Sequence, residues 1–109
     1  MARQDSLQGS LPLLILKVLA RRGSLHGYAL TSHIEQMSDE VLQVEEGSLY
    51  PALHRLEESG WVKAQWVTTE KNRRARTYEI TASGRKQLNE EEDRWLAITA
   101  AVTQVLRKA

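Results

Sequence analysis

The segment from residue 46 to residue 61, EGSLYPALHRLEESGW, constrains the fold more than any other part of this chain. Its bulky apolar residues recur at spacings of four and three, which predicts a short α-helix with one buried face. Those residues are Leu49, Leu53 and Leu56. Ser48 is a candidate N-cap, and Gly60 is expected to end the helix in a left-handed conformation.

A strand–loop–strand pattern follows this helix directly. Residues 61–68 alternate, with Val62, Ala64 and Trp66 on one face, and Tyr78 and Ile80 alternate in the return run. Two such runs around a polar loop predict a β-hairpin. The loop reads KNRRAR over residues 71–76.

Two further helices are predicted upstream, after a polar start over residues 1–9. The first covers residues 11–20, with Ser10 as its N-cap and Gly23 at its end, and it is apolar nearly all round. A helix of that kind must be covered on two sides, so we expect a partner subunit to cover one of them. The second runs from residue 26 to 37, and the connector after it is a candidate short strand through Leu42 and Val44. Its predicted core residues are Leu30, Ile34 and Met37.

A long terminal helix is predicted from Ala82 to near Lys108. Leu88, Trp95 and Val102 are seven residues apart, with Ile98 and Val105 in the second position of the repeat. This narrow stripe is typical of a helix that packs on another helix. The predicted fold is therefore mainly α with a small β-hairpin: a winged helix-turn-helix over residues 1–81 and a dimerisation helix over residues 82–109.

Composition narrows the class of protein. The 109 residues suit one domain, and the chain has no cysteine, which argues against thiol chemistry and favours an intracellular, cytoplasmic location. The longest apolar run, residues 11–20, is too short to span a membrane. The three histidines have no metal-ligand spacing, and no nucleophile motif or phosphate loop occurs, so we expect neither an enzyme nor a metal or cofactor.

Charge is distributed unevenly along the chain. Net charge is only +1, but residues 61–81 carry five Lys/Arg against two Asp/Glu, whereas residues 1–60 carry five against eight. A positively charged hairpin beside a helix with an exposed polar face is how a winged helix binds duplex DNA. The candidate DNA-binding residues are Tyr28, Ser48, Tyr50, Pro51, His54, Arg55, Lys63, Lys71, Arg73, Arg74 and Arg76.

Several motifs resemble those of PadR-type transcriptional regulators. They are GSLYPALHRLE over residues 47–57, RARTYEITASG over residues 74–84, and HGY at the start of the second helix. The single terminal helix is similar to the short PadR subgroup of the LmrR type. The resemblance implies a homodimeric repressor on a palindromic operator, with terminal helices paired across the two-fold axis and a small aromatic or amphipathic effector at the interface. The residues expected there are Leu14, Leu88, Trp95, Ile98, Val102 and Val105.

Other interpretations of these residues stay open. The basic loop could be an ordinary solvated surface turn, and Ser48 could act only as a helix cap. Tyr50 could be a core residue, and Trp95 could serve only to pack the dimer. A winged helix that only docks another protein is the main rival function, and the basic loop argues against it. A metal- or redox-responsive regulator is a weaker rival, since cysteine is absent.

Overall fold

The computed structural model describes the backbone of residues 2–109 and the side chains from residue 9 onward. Within these residues the fold is mainly helical with a small antiparallel sheet, as the sequence predicts. The elements are α1 (Ala2–Arg22), β1 (Leu25–His26), α2 (Gly27–Met37), α3 (Glu46–Glu58), β2 (Val62–Thr68), β3 (Arg74–Ile80) and α4 (Ala82–Lys108).

The core lies where α1, α2 and α3 meet the base of the hairpin. The leucine stripe predicted for α3 is confirmed, because Leu49, Leu53 and Leu56 are all buried. They pack in one apolar cluster with residues of the other elements, among them Leu11, Ile15, Leu16, Leu19, Leu30, Ile34, Val62, Tyr78, Ile80 and Leu88. Burying one face of α3 leaves its opposite face for solvent or a ligand.

Two predicted helix starts were wrong. The helix α1 begins at Ala2, so Ser10 lies inside it, and α3 begins at Glu46 with Glu45 at the N-cap. The segment upstream of Ser10 is rich in residues that favour helix, and Pro12 removes only one backbone donor. At α3, the Ser48 amide donates to the Glu45 carbonyl oxygen at 3.0 Å, which places Ser48 in the first turn. A serine is a favoured cap, but the backbone decides where the helix begins.

The end of α2 and the connector to α3 also differ from prediction. Met37, which was predicted to lie in the core, is the last residue of α2 and is 52% exposed. No strand forms in the connector among the described residues, since side chains bind the amides that a strand would use. The Ser38 hydroxyl accepts from the Leu42 amide at 3.0 Å, and the Glu35 carboxylate accepts from the Val44 amide at 3.1 Å.

The sheet contains one strand that periodicity does not predict. The predicted hairpin is confirmed as β2 and β3, and the two-residue β1 pairs antiparallel with β3, giving the order β1–β3–β2. Leu25 lies opposite Tyr78 and His26 opposite Thr77. Because α2 begins at the next residue, this pairing fixes the start of α2 beside the hairpin.

A hydrogen-bonded joint connects α3, the hairpin and α4. Gly60 has a φ of +78°, as its predicted left-handed stop requires. The Thr81 hydroxyl donates to the Gly60 carbonyl oxygen at 2.7 Å and accepts from the Gly84 amide at 3.0 Å. The Thr81 amide donates to the Trp61 carbonyl oxygen at 3.0 Å. Thr81 is thus both the N-cap of α4 and its attachment to the end of α3.

We expect Gly84→Ala to destabilise the protein, because a Cβ at this position would collide with the backbone carbonyl oxygen of Trp61 and approach Ile80 Cγ1 within 2.8 Å. Overpacking of this kind costs about 1–3 kcal/mol. The free energy of unfolding from urea titrations at equal protein concentration measures it. Gly47→Ala is the matched control, because nothing lies within 4 Å of its added Cβ and alanine favours the helix. Equal stability of the two variants would contradict the close packing at Gly84.

Candidate nucleic-acid interface

An open groove of about 580 Å³ separates the hairpin from the starts of α2 and α3. We call it the wing groove. The strand β1 creates it by placing the start of α2 opposite β3. The residues that line it are His26, Gly27, Tyr28, Tyr50, Trp66, Thr69, Arg74, Ala75, Arg76 and Tyr78.

The hairpin wall of the wing groove presents an aromatic ring between two guanidinium groups. In the β2–β3 register Trp66 lies opposite Arg76 and Thr68 opposite Arg74, so Trp66, Arg74 and Arg76 share one face of the sheet. The Cζ atoms of Arg74 and Arg76 lie 4.9 Å and 5.7 Å from the centroid of the Trp66 ring. Cation–π contact at these distances restricts both long side chains.

The two arginines differ in their ionic surroundings. The Arg76 Nη2 atom lies 3.0 Å from Oε2 of Glu57, a residue in the last turns of α3. Arg74 forms no ion pair with any residue that the structure describes. Arg76 therefore helps to attach the hairpin to α3, while the charge of Arg74 is available to an anion.

The opposite wall depends on a close approach between α2 and α3. A Cβ on Gly27 would lie 2.7 Å from the Tyr50 hydroxyl oxygen, so the Tyr50 phenol rests against the start of α2. Tyr50 is nevertheless 45% exposed. Its ring therefore contributes both to packing and to the surface of the groove.

Tyr78 forms the floor of the wing groove and is 4% exposed. Burial raises the pKa of its phenol above the usual range, and the neighbouring Arg76 guanidinium opposes that rise. The phenol therefore stays protonated at neutral pH and can donate a hydrogen bond.

The other predicted DNA-binding residues lie around this groove or away from it. Tyr28 is 80% exposed at its rim, and Pro51, His54 and Arg55 are exposed on α3. Lys71 and Arg73 are exposed at the hairpin tip, and Ser48 is half-buried. Lys63 alternates to the other face of the hairpin, where its Nζ atom lies 3.8 Å from Oε1 of Glu79. The wing groove thus brings together Tyr28, Tyr50, Arg74 and Arg76 but not Lys63.

Sequence reasoning missed six groove residues, which are His26, Gly27, Trp66, Thr69, Ala75 and Tyr78. The signal for Trp66 was present, because its position in the alternating pattern puts it on the Val62 face. Its proximity to two arginines follows only from the hairpin register, which places Trp66 against Arg76. His26 and Gly27 join the site through β1, a strand too short to show periodicity.

A second unusual surface lies on the terminal helix. Beyond Leu88, which is buried within its own chain, α4 presents Trp95, Ile98, Val102 and Val105 at 43–64% exposure. Leu14 is half-buried on α1. An ion pair between Lys17 Nζ and Glu92 Oε1, at 2.9 Å, joins α1 to α4 just before this apolar stripe begins.

Among the described residues, no helix is both long enough and apolar enough to span a bilayer.

Residues 15–90 match the model of the transcriptional regulator PadR-like family. A transcriptional regulator from Clostridium thermocellum is 28% identical with a TM-score of 0.83, over 92% of this chain and 96% of that one. A PadR family regulator from Eggerthella lenta is 27% identical with a TM-score of 0.79, over 97% and 89%. Bacillus subtilis PadR, solved in complex with operator DNA, is 27% identical with a TM-score of 0.66, over 79% of this chain and 46% of that one. The chain therefore belongs to the PadR-like family of transcriptional regulators, as its motifs predicted, and not to a family of enzymes.

Proposed function

We propose that this protein is a homodimeric repressor that binds a palindromic operator in double-stranded DNA. The observation that carries this proposal is the exposed outer face of α3 beside a hairpin whose cations at the tip and at Arg74 form no ion pair with any described residue. The structure of Bacillus subtilis PadR with operator DNA supports it, because that relative is 27% identical to this chain.

In this proposal α3 enters the major groove. Its leucine stripe is buried, so only the outer face, with Pro51, His54 and Arg55, can reach base edges. Arginine to guanine is the commonest specific contact of this type. Glu58, with its Oε2 atom 3.6 Å from His54 Nε2, would repel phosphate, so the C-terminal end of α3 tilts out of the groove.

The hairpin supplies contacts that position the protein without reading sequence. Lys71 and Arg73 at the tip and Arg74 on the wing groove are exposed cations. Each phosphate that a cation neutralises releases counterions, which makes binding salt-dependent. The Lys63–Glu79 pair faces away from the wing groove, so the contribution of Lys63 to DNA binding is the smallest of the hairpin cations in this arrangement.

The proposed dimer forms along α4, with residues 82–109 as its dimerisation helix and residues 1–81 as the DNA-binding domain. Six large apolar side chains between Trp95 and Leu106 are exposed in the single chain. Fully burying such a side chain contributes about 1.5–3 kcal/mol, which favours pairing with the same stripe of a second copy. The two α3 helices would then read half-sites about 34 Å apart or a multiple of that spacing.

The dimer interface is also the proposed site of a small aromatic or amphipathic effector. Trp95 lies at the start of the stripe and is 43% exposed, so two symmetry-related rings would form the walls of a flat slot. Lys17–Glu92 lies next to it and connects α4 to α1 of the DNA-binding domain. A ligand that separates the rings would change the angle between the two domains and release the operator.

The proposal predicts a DNA affinity that depends on the hairpin cations. We expect the protein to enrich discrete sequences from fragmented genomic DNA, and the recovered duplex defines the operator. Changing Arg73 and Arg74 together to Ala should weaken its binding and make the log–log salt dependence shallower by about 0.9 for each phosphate that is no longer neutralised. Fluorescence anisotropy over a series of salt concentrations measures both quantities.

Arg107→Ala together with Lys108→Ala is the matched control, because it removes two cations at the far end of α4. If that control changes the salt slope as much as the hairpin variant, the hairpin cations act only through overall charge. Failure to enrich any duplex would overturn the proposed function itself.

The proposal also predicts that α4 holds two copies together. Val102→Glu should dissociate the dimer, because it places a charge in the middle of the apolar stripe. Sedimentation velocity at micromolar concentration should show a monomer for this variant and a dimer for the native protein. Gln104→Glu adds the same charge on the other side of α4 and should leave the dimer intact. A native protein that sediments as a monomer would contradict the proposal.

The effector slot predicts a specific fluorescence response. In a protein with Trp61→Phe and Trp66→Phe, the remaining Trp95 should be quenched saturably by planar aromatic compounds that stack between the rings. Calorimetric titration of the Trp95→Ala variant with the same compounds should show at least a tenfold loss of affinity. Undiminished binding to the Trp95→Ala variant would place the ligand elsewhere.

A further inference from the structure

Tyr78 presents a polar group that the rest of the protein does not use. The residue is 4% exposed, it lines the wing groove, and its phenol forms no hydrogen bond within the part of the chain that the structure describes. No described side-chain polar atom is both fully enclosed and unpaired, so the phenol oxygen reaches the surface of the groove. Because it faces the groove, this hydroxyl can donate a hydrogen bond to water or to a ligand that takes the place of water there.

The charged groups that act on Tyr78 are Arg76 and Glu57, and Arg74 lines the same groove. Arg74 has no ion pair among the described residues, and the Trp66 ring lies 4.9 Å from its Cζ atom. Arg76 is paired with Glu57 at 3.0 Å, which leaves the groove with one uncompensated guanidinium. This guanidinium and the neutral hydroxyl donors of the groove favour a group that bears a single negative charge and accepts hydrogen bonds.

The shape of the groove distinguishes between sources of that anion. A free phosphate ion would leave much of a groove of about 580 Å³ filled with water, and it would not use the aromatic walls. Trp66, Tyr28 and Tyr50 instead offer faces to an apolar surface next to the charge. A phosphodiester flanked by deoxyribose rings has both properties, and the groove opens beside the exposed face of α3.

We propose that the wing groove seats one backbone phosphate of each operator half-site. This inference rests on the proposed function. The Arg74 guanidinium and the Tyr78 hydroxyl donate to the phosphate oxygens, and the Trp66 ring lies against an adjacent sugar while it holds Arg74 in place. Trp66 is thus a positioning residue for Arg74 as well as part of the wall.

A scan with single methylphosphonate substitutions tests this seat, because each removes the charge of one phosphate. The probe is the duplex recovered from genomic fragments, with the substitution moved along both strands. The native protein should show a large loss of affinity at one position in each half-site, and this loss should be smaller in Tyr78→Phe and in Arg74→Ala. Tyr78→Phe alone should weaken binding of the unmodified duplex by roughly tenfold, since hydrogen bonds to charged groups are the strong ones.

Thr77→Val is the matched control, because it deletes a hydroxyl from the neighbouring residue of β3 on the opposite face of the strand. It should keep the native methylphosphonate profile. Trp66→Leu should reduce the loss at the same position, and Trp66→Phe should restore part of it, whereas neither should change the methylphosphonate profile further once Arg74 is already Ala. This non-additivity separates positioning of Arg74 from a general loss of stability.

The outcomes separate this inference from the proposed function. If the duplex is bound but Tyr78→Phe keeps both the affinity and the methylphosphonate profile of the native protein, the seat is wrong while the DNA-binding function stands. If inorganic phosphate at constant ionic strength perturbs the Trp66 fluorescence of a Trp61→Phe, Trp95→Phe protein and Tyr78→Phe abolishes this without changing DNA affinity, the groove is a free-anion site and the seat is again overturned. If no duplex is bound at all, both proposals fail.

Discussion

Burial of the α3 leucine stripe against α1 and the hairpin base is the constraint on which the other surfaces depend. Leu49, Leu53 and Leu56 are 1–3% exposed, so α3 cannot rotate about its axis without exposing them to water. Each contributes roughly 1.5–3 kcal/mol by its burial. The outer face of the helix is therefore oriented by the core, although none of the residues on that face takes part in packing. The exposed residues of such a helix can be substituted without changing the direction in which that face points.

The small sheet holds the hairpin beside α2 and α3, and the space between them is the wing groove. The pairing of β1 with β3 holds the start of α2 against the hairpin, and Gly27 lets Tyr50 of α3 come close to it. The Arg76–Glu57 pair also attaches the hairpin to α3. These contacts tie the hairpin to two helices at once. The shape of the wing groove therefore depends on these few individual contacts, each of them weak alone, between elements whose positions are set by the hydrophobic core.

How well each helix or strand could be predicted from the sequence depends on how many residues its hydrophobic pattern spans. The leucine stripe of α3, the hairpin and α4 each repeat their period over several residues, so their type and most of their boundaries were predicted correctly. Ser48 misled because the extended backbone of Glu45 begins α3 without a side-chain cap, and Ser10 misled because the helix continues upstream of it. The strand β1 has two residues and no detectable period, and it exists because β3 offers it a free edge. The pairing of Trp66 with Arg76 and the partnering of Arg76 with Glu57 depend on register and tertiary approach, which one sequence does not display.

The position of the Lys17–Glu92 pair gives the two proposed binding surfaces, the outer face of α3 and the apolar stripe of α4, a physical connection. Before this pair, α4 is held in its own core through Leu88 and the Thr81–Gly84 joint; after it, the helix carries its exposed apolar stripe. The joint also bonds to Gly60 at the end of α3, so α3 and α4 meet at one rigid point. A change in the direction of α4 at a dimer interface would therefore be passed to α3 with little loss. A regulator built in this way needs no long pathway through the core, because the helix that would pair the subunits starts where the helix that would read DNA ends.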